Sequence, residues 1–201
     1  MQNPNERQVS SVLFAVWIPC YFELSHSRQT QKMRSLILFR HGKSDWDAQF
    51  TSDHERPLAN RGKEAAICMG RMLSQAGQTP QLAISSSALR ARATLQLAVR
   101  AGRWHCPIRM EDRLYGSSAE GVLNWVRSLD ENPECLLLTG HEPTWSELAG
   151  SLIGKGAIRM PTGAMLKIDF EFGSWQQIKF GRGELKWLIP PKLICRSKAE
   201  K

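Results

Sequence analysis

Leu36-Ile37-Leu38-Phe39-Arg40-His41-Gly42 ends four apolar residues abruptly at a guanidinium, an imidazole and a glycine. An apolar run this short reads as a strand buried on both faces, the kind found in parallel sheets. Loops at the carboxyl ends of such strands are where ligands of open α/β sheets sit. The pairing suits an anion, because arginine offers a planar fork of donors that fits phosphate oxygens and a neutral histidine can attack phosphorus. The pattern returns twice. Leu82-Ala83-Ile84 runs into Ser85-Ser86-Ser87-Ala88-Leu89-Arg90, and Leu136-Leu137-Leu138-Thr139 runs into Gly140-His141-Glu142-Pro143. Three strand-to-helix junctions thus carry Arg40 with His41, Arg90, and His141.

Between these junctions the short apolar runs alternate with helical periodicity. A helix is expected from Asn60, as its N-cap, to Gly77, with Ala65, Ala66, Met69, Met72 and Leu73 at helical spacing. Leu89 to Ala101 and Ala119 to Leu129 read as two more, and Pro143 to Ile153 as a fourth that starts just past His141. The last third changes character: Ala164 to Phe172, Trp175 to Phe180 and Glu184 to Ile189 read as strands separated by glycines. The implied class is α/β, a three-layer sandwich. Its central sheet is mostly parallel, with helices on both faces and antiparallel strands added near the C-terminus.

Composition agrees with one compact enzyme domain: 201 residues at 42% hydrophobic content can form a real core. No stretch approaches the ~20 apolar residues of a membrane span, so no membrane partner is expected. The net charge of +8 raises a nucleic-acid partner. However, the basic residues are scattered, and Lys192, Arg196, Lys198 and Lys201 against Glu200 place +3 of the excess in the last ten residues. The charge therefore reads as a solvated surface and a field that steers phosphate, with no nucleic acid bound. Cys20, Cys68, Cys106, Cys135 and Cys195 are odd in number and lack metal-ligand spacing. Neither a zinc site nor a disulfide framework is expected, and a cytoplasmic location is.

In order and spacing, the three junctions resemble the histidine phosphatase superfamily, also called phosphoglycerate mutase-like. Arg40-His41-Gly42-Lys43-Ser44-Asp45-Trp46, then Asp53-His54-Glu55-Arg56-Pro57-Leu58 leading to Arg61-Gly62, and finally Gly183-Glu184-Leu185-Lys186-Trp187 narrow the resemblance to phosphohistidine phosphatases of the SixA type. It covers roughly residues 33 to 193. The family pattern carries a proline where Ser87 stands and a glutamine where Ala93 stands, positions that supply no guanidinium. Residues 1–32 precede the pattern and are expected to be a non-homologous extension, with Met33 as the natural start; Pro19 interrupts their one apolar run, and no cleavage site follows it. Residues 194–201 read as a basic tail.

The resemblance implies His41 as a nucleophile that forms a phosphohistidine, and Arg40 and Arg90 as phosphate ligands. It implies His141 as a donor to the transferring group, with no cofactor and no metal. Ser44 and Glu111 are candidate accessory residues. Asp53, Arg56 and Arg61 read as a loop-ordering charge set, Trp46 and Trp145 as flanking the mouth, and the three serines as caps of the following helix. No confident general acid is legible. A phosphohistidine needs one least, because its P–N bond is labile and its imidazole can be protonated by water. The expected activity is that of a monomer that dephosphorylates a histidine phosphotransfer domain or similar protein. A phosphatase of small phosphoesters and a silent phosphate-binding module are the alternatives.

Overall fold

The computed structural model describes residues 32–195; the expected leader up to residue 31 and the tail beyond Cys195 lie outside the described residues. The apolar runs become β1 (Met33–Arg40), β2 (Leu82–Ser86), β3 (Ile108–Glu111), β4 (Cys135–Gly140), β5 (Met165–Glu171) and β6 (Glu184–Ile189). They form one sheet in the order β3-β2-β4-β1-β5-β6. β1 and β2 both pair parallel with β4, and β3 pairs parallel with β2. β5 runs antiparallel between β1 and β6.

The helices are α1 (Asn60–Gln75), α2 (Leu89–Gly102), α3 (Ala119–Arg127) and α4 (Thr144–Leu152). Period-two alternation along the strands assigns them to opposite faces. Leu36 and Leu38 join Ile84, Leu136 and Leu138 under α3 and α4, while Ile37 and Phe39 join Ala83 and Leu137 under α1 and α2. β1 and β4 are therefore neighbours whose following helices lie on opposite faces. Between them opens the crevice in which α/β sheets hold ligands.

Several local expectations are corrected. Trp175 to Phe180 is not a strand: Trp175–Gln177 is a 3-10 turn, because Ser174 and Gln177 close a reciprocal capping box and the indole of Trp175 is buried, donating to Pro133 O at 2.8 Å. Ala59, not Asn60, caps α1, and Pro143 is the N-cap of α4 instead of its first helical residue. Cys68 on α1 and Cys195 are joined by a disulfide, their Cα atoms 5.9 Å apart, which overturns the expectation of unpaired thiols. The pair escapes sequence reading because 127 residues separate its members and only folding lays Pro191–Cys195 beside α1.

Candidate active site

The parallel register of β1 and β4 sets Arg40 opposite Gly140, so the next residues, His41 and His141, emerge side by side. Their ring centroids are 5.0 Å apart. His41 is pinned by its backbone, its N–H donating to Gly140 O and its carbonyl accepting from Gly163 N, each at 3.0 Å. Its Nδ1 lies 2.7 Å from Gly42 O. A carbonyl can only accept, so in the neutral ring the proton sits on Nδ1 and Nε2 carries the free lone pair. Burial pushes the His41 pKa down to about 4 against the pull of that hydrogen bond, and the charges of Arg90, Arg40 and Arg56 lower it further. The ring is neutral near pH 7.

His141 is held the same way, pushed down to about 3 by burial and then by His41 and Arg90. Its Nε2 lies 2.9 Å from Ser86 Oγ, which also accepts from Ala88 N at 3.3 Å. Where the Ser86 hydroxyl donates to Nε2, the ring proton sits on Nδ1, a buried atom without a hydrogen-bond partner among the described residues. The serine trio does not cap α2, whose N-cap is Ala88 without a side-chain bond. Ser86 orients His141 and Ser87 bonds His54 at 3.0 Å.

Three guanidiniums surround the histidines. Arg40 donates to Met160 O at 2.6 Å, and its Nε is buried and unpartnered. Arg90 grips Asp53 twice, at the carbonyl (2.6 Å) and at Oδ2 (2.9 Å), and its Nε is again free. Arg56, expected only to order its loop, is the third: it is 6% exposed, with Nε and Nη1 buried and unpartnered. Its Nη2 pairs with Asp53 Oδ1 at 2.8 Å while its Cζ stacks 3.4 Å from the Trp46 ring centroid. Asp53 is the hub. Although burial pulls its pKa up, the Tyr115 hydroxyl and the Arg90 and Arg56 charges hold the carboxyl below its usual range.

The other candidates fall as follows. Ser44 is buried through a bridge to Leu58, and Arg61 is exposed. Glu111 spends both carboxylate oxygens on structure, accepting from Trp125 Nε1 (3.1 Å) and Arg113 N (3.2 Å). Trp46 is 63% exposed at the rim, but Trp145 is fully buried beneath Gly140 and donates to Phe39 O, which corrects its placement at the mouth. Glu142, not singled out by sequence, has its pKa raised by burial and leaves Oε1 buried and unpartnered. Gly42 is demanded by packing: a Cβ there would stand 2.6 Å from Gly62 O, where α1 begins. No cluster of metal-ligating side chains occurs among the described residues.

Comparison with known proteins bears on the family and the fold. The profile of the histidine phosphatase superfamily (branch 1) matches residues 36–119. An uncharacterised chloroplastic protein of Arabidopsis thaliana is 31% identical over 165 residues, covering 77% of this chain and 75% of that one. A putative phosphohistidine phosphatase SixA from Nakamurella multipartitia superposes with a TM-score of 0.69 at 24% identity, covering 79% of this chain and 96% of its own. A protein histidine phosphatase SixA complexed with tungstate gives 0.68 at 22% identity, covering 79% and 98%. At these identities the structures show the shared fold.

Proposed function

The chain belongs to the histidine phosphatase superfamily and is a hydrolase of that type; within it, we propose a phosphohistidine phosphatase that acts on a phosphorylated protein through a covalent intermediate on His41. The observation that carries the reading is a pair of neutral imidazoles ringed by three guanidiniums with buried, unpartnered N–H groups. Such fixed positive charge favours a phosphoryl group most when charge spreads over its equatorial oxygens.

In the first step the His41 Nε2 lone pair forms a bond to phosphorus while the substrate P–N bond breaks. The electron pair goes to the departing imidazole nitrogen, which takes a proton from water. His141 Nδ1–H and the Arg40, Arg90 and Arg56 guanidiniums hold the oxygens. In the second, a water oxygen attacks phosphorus, the His41 P–N bond breaks, its pair returns to Nε2 and the water proton is released. Residues 33–193 form the catalytic domain in this reading, acting as a monomer without a metal. We place the reaction in the cytoplasm, where the thiols of Cys106 and Cys135 stay free. No helix among the described residues is long and apolar enough to cross a membrane.

Asp53 supports a substrate with a good leaving group, because a carboxyl held ionised by two arginines cannot protonate an alkoxide. One observation favours small phosphoesters instead: Glu142 follows His141 directly and burial raises the pKa of its carboxyl, the direction a general acid needs. Incubation with a phosphohistidine-bearing phosphotransfer domain and, in parallel, a panel of sugar phosphates separates the readings. Rapid loss of protein-bound phosphate with little sugar-phosphate turnover is expected, and the reverse would replace the proposal.

A further inference from the structure

We infer that Tyr115 and His54 form a leaving-group subsite that selects a planar aromatic ring carried by the transferring phosphoryl group, an inference that rests on the phosphatase reading above. Four rings follow one another in a row of contacts that begins at His41, and exposure rises from 8% at His41 and His141 to 37% at Tyr115. His41 lies 5.0 Å from His141, Tyr115 meets His141 edge-on at 5.4 Å and 81°, and His54 meets Tyr115 edge-on at 4.9 Å and 87°. Arg90 Cζ lies 5.8 Å from the Tyr115 centroid, so a phosphoryl group held by Arg90 sits next to this wall. The bond to be broken points away from the attacking nitrogen, toward the outer end of such a row.

Both outer rings are fixed through their polar ends. The Tyr115 hydroxyl donates to Asp53 Oδ2 at 3.0 Å, and His54 Nε2 lies 3.0 Å from Ser87 Oγ. Tyr115 is 37% exposed, and its hydroxyl is already engaged by Asp53. A sugar would find the tyrosine hydroxyl, Ser87 and Asp53 already engaged, and a site rejects groups whose hydrogen bonds it cannot complete. A second anionic group would meet the Asp53 carboxylate. An imidazole, flat and uncharged once it has left, can pack edge-on or offset against Tyr115.

The test uses phenylphosphonate and cyclohexylphosphonate, which share charge and ring size and differ in planarity. Calorimetric titration should give a preference for phenyl of between about threefold and tenfold, the range expected of an aromatic pair. Tyr115→Ala and His54→Ala should erase that preference. Tyr115→Phe, which keeps the ring and loses only the bond to Asp53, should retain it. Equal affinities in the unaltered protein, a preference that survives Tyr115→Ala, or binding of neither phosphonate would overturn the inference. The parent reading fails separately: if no protein-borne phosphohistidine is hydrolysed while the phenyl preference stands, the subsite remains and its substrate is an aryl ester.

Discussion

Asp53 takes both Arg56 and Arg90 with one carboxylate, and this choice of residue types explains why the guanidiniums can be aimed before any phosphate arrives. Arg90 reaches Asp53 through two separate nitrogens, a planar geometry that an ammonium cannot copy. Arg90→Lys should therefore fail nearly as badly as Arg90→Ala, by on the order of 3 kcal/mol or a hundredfold in kcat/KM. Arg92, exposed on the far side of α2, should tolerate alanine, and steady-state kinetics on the three variants checks the assignment. A second expectation concerns protons. His41 and His141 have pKa values pushed down to about 4 and about 3, so the unfolded chain binds protons first as pH falls below ~6.5. Their stabilisation is whole above ~6.5, is lost on the way down to about 4 and 3, and changes little below that. Urea unfolding from pH 8 to 4 should lose more stability in the natural protein than in His41→Ala, by roughly 3 kcal/mol. Parallel curves would contradict the burial argument. Arg40, His41, Arg90 and His141 were legible because each follows an apolar run; Arg56, Ser86 and Tyr115 were not, since only the folded loops bring them to the same crevice.

β1 and α1 meet where two glycines touch, and here backbone contact sets the position of His41. A Cβ on Gly42 would lie 2.6 Å from Gly62 O, and one on Gly62 would lie 2.2 Å from Lys43 O. Neither backbone can yield without moving the loop that carries His41. Gly42→Ala should cost about 1–3 kcal/mol, the range for overpacking, and lower activity by more than the lost folded fraction. Thermal unfolding together with kcat at 20 °C below the midpoint would show it; unchanged kcat would mean that the contact serves stability alone. The strands around this junction were readable because their apolar runs admit one assignment. Trp175 to Phe180 was not, since alternating apolar residues also fit a turn whose indole is buried and whose ends are capped by Ser174 and Gln177. Trp145 misleads in the same way: its position after His141 points to the mouth, yet helix phase turns it beneath Gly140.

For the molecule as a whole, the sheet order places β1 and β4 side by side at its centre, and their helices leave on opposite faces. In the proposed mechanism the fixed guanidiniums around that crossing supply the charge that other phosphatases draw from metal ions. EDTA should leave turnover unchanged, and activity that collapses and returns with magnesium or zinc would contradict a charge supply made of arginine alone. The net charge of +8 should also draw in anionic partners, so kcat/KM should fall as salt is raised, with kcat nearly constant. In the proposed mechanism His41 carries the phosphoryl group between two half-reactions. The most direct test of this is to mix the protein with phosphate-labelled substrate, quench within the first turnover in base, where an N-linked phosphohistidine survives, and locate the label by mass spectrometry. Label is expected on His41, disappearing on chase and never forming in His41→Ala. Turnover without a labelled enzyme, or label on any other residue, would contradict it.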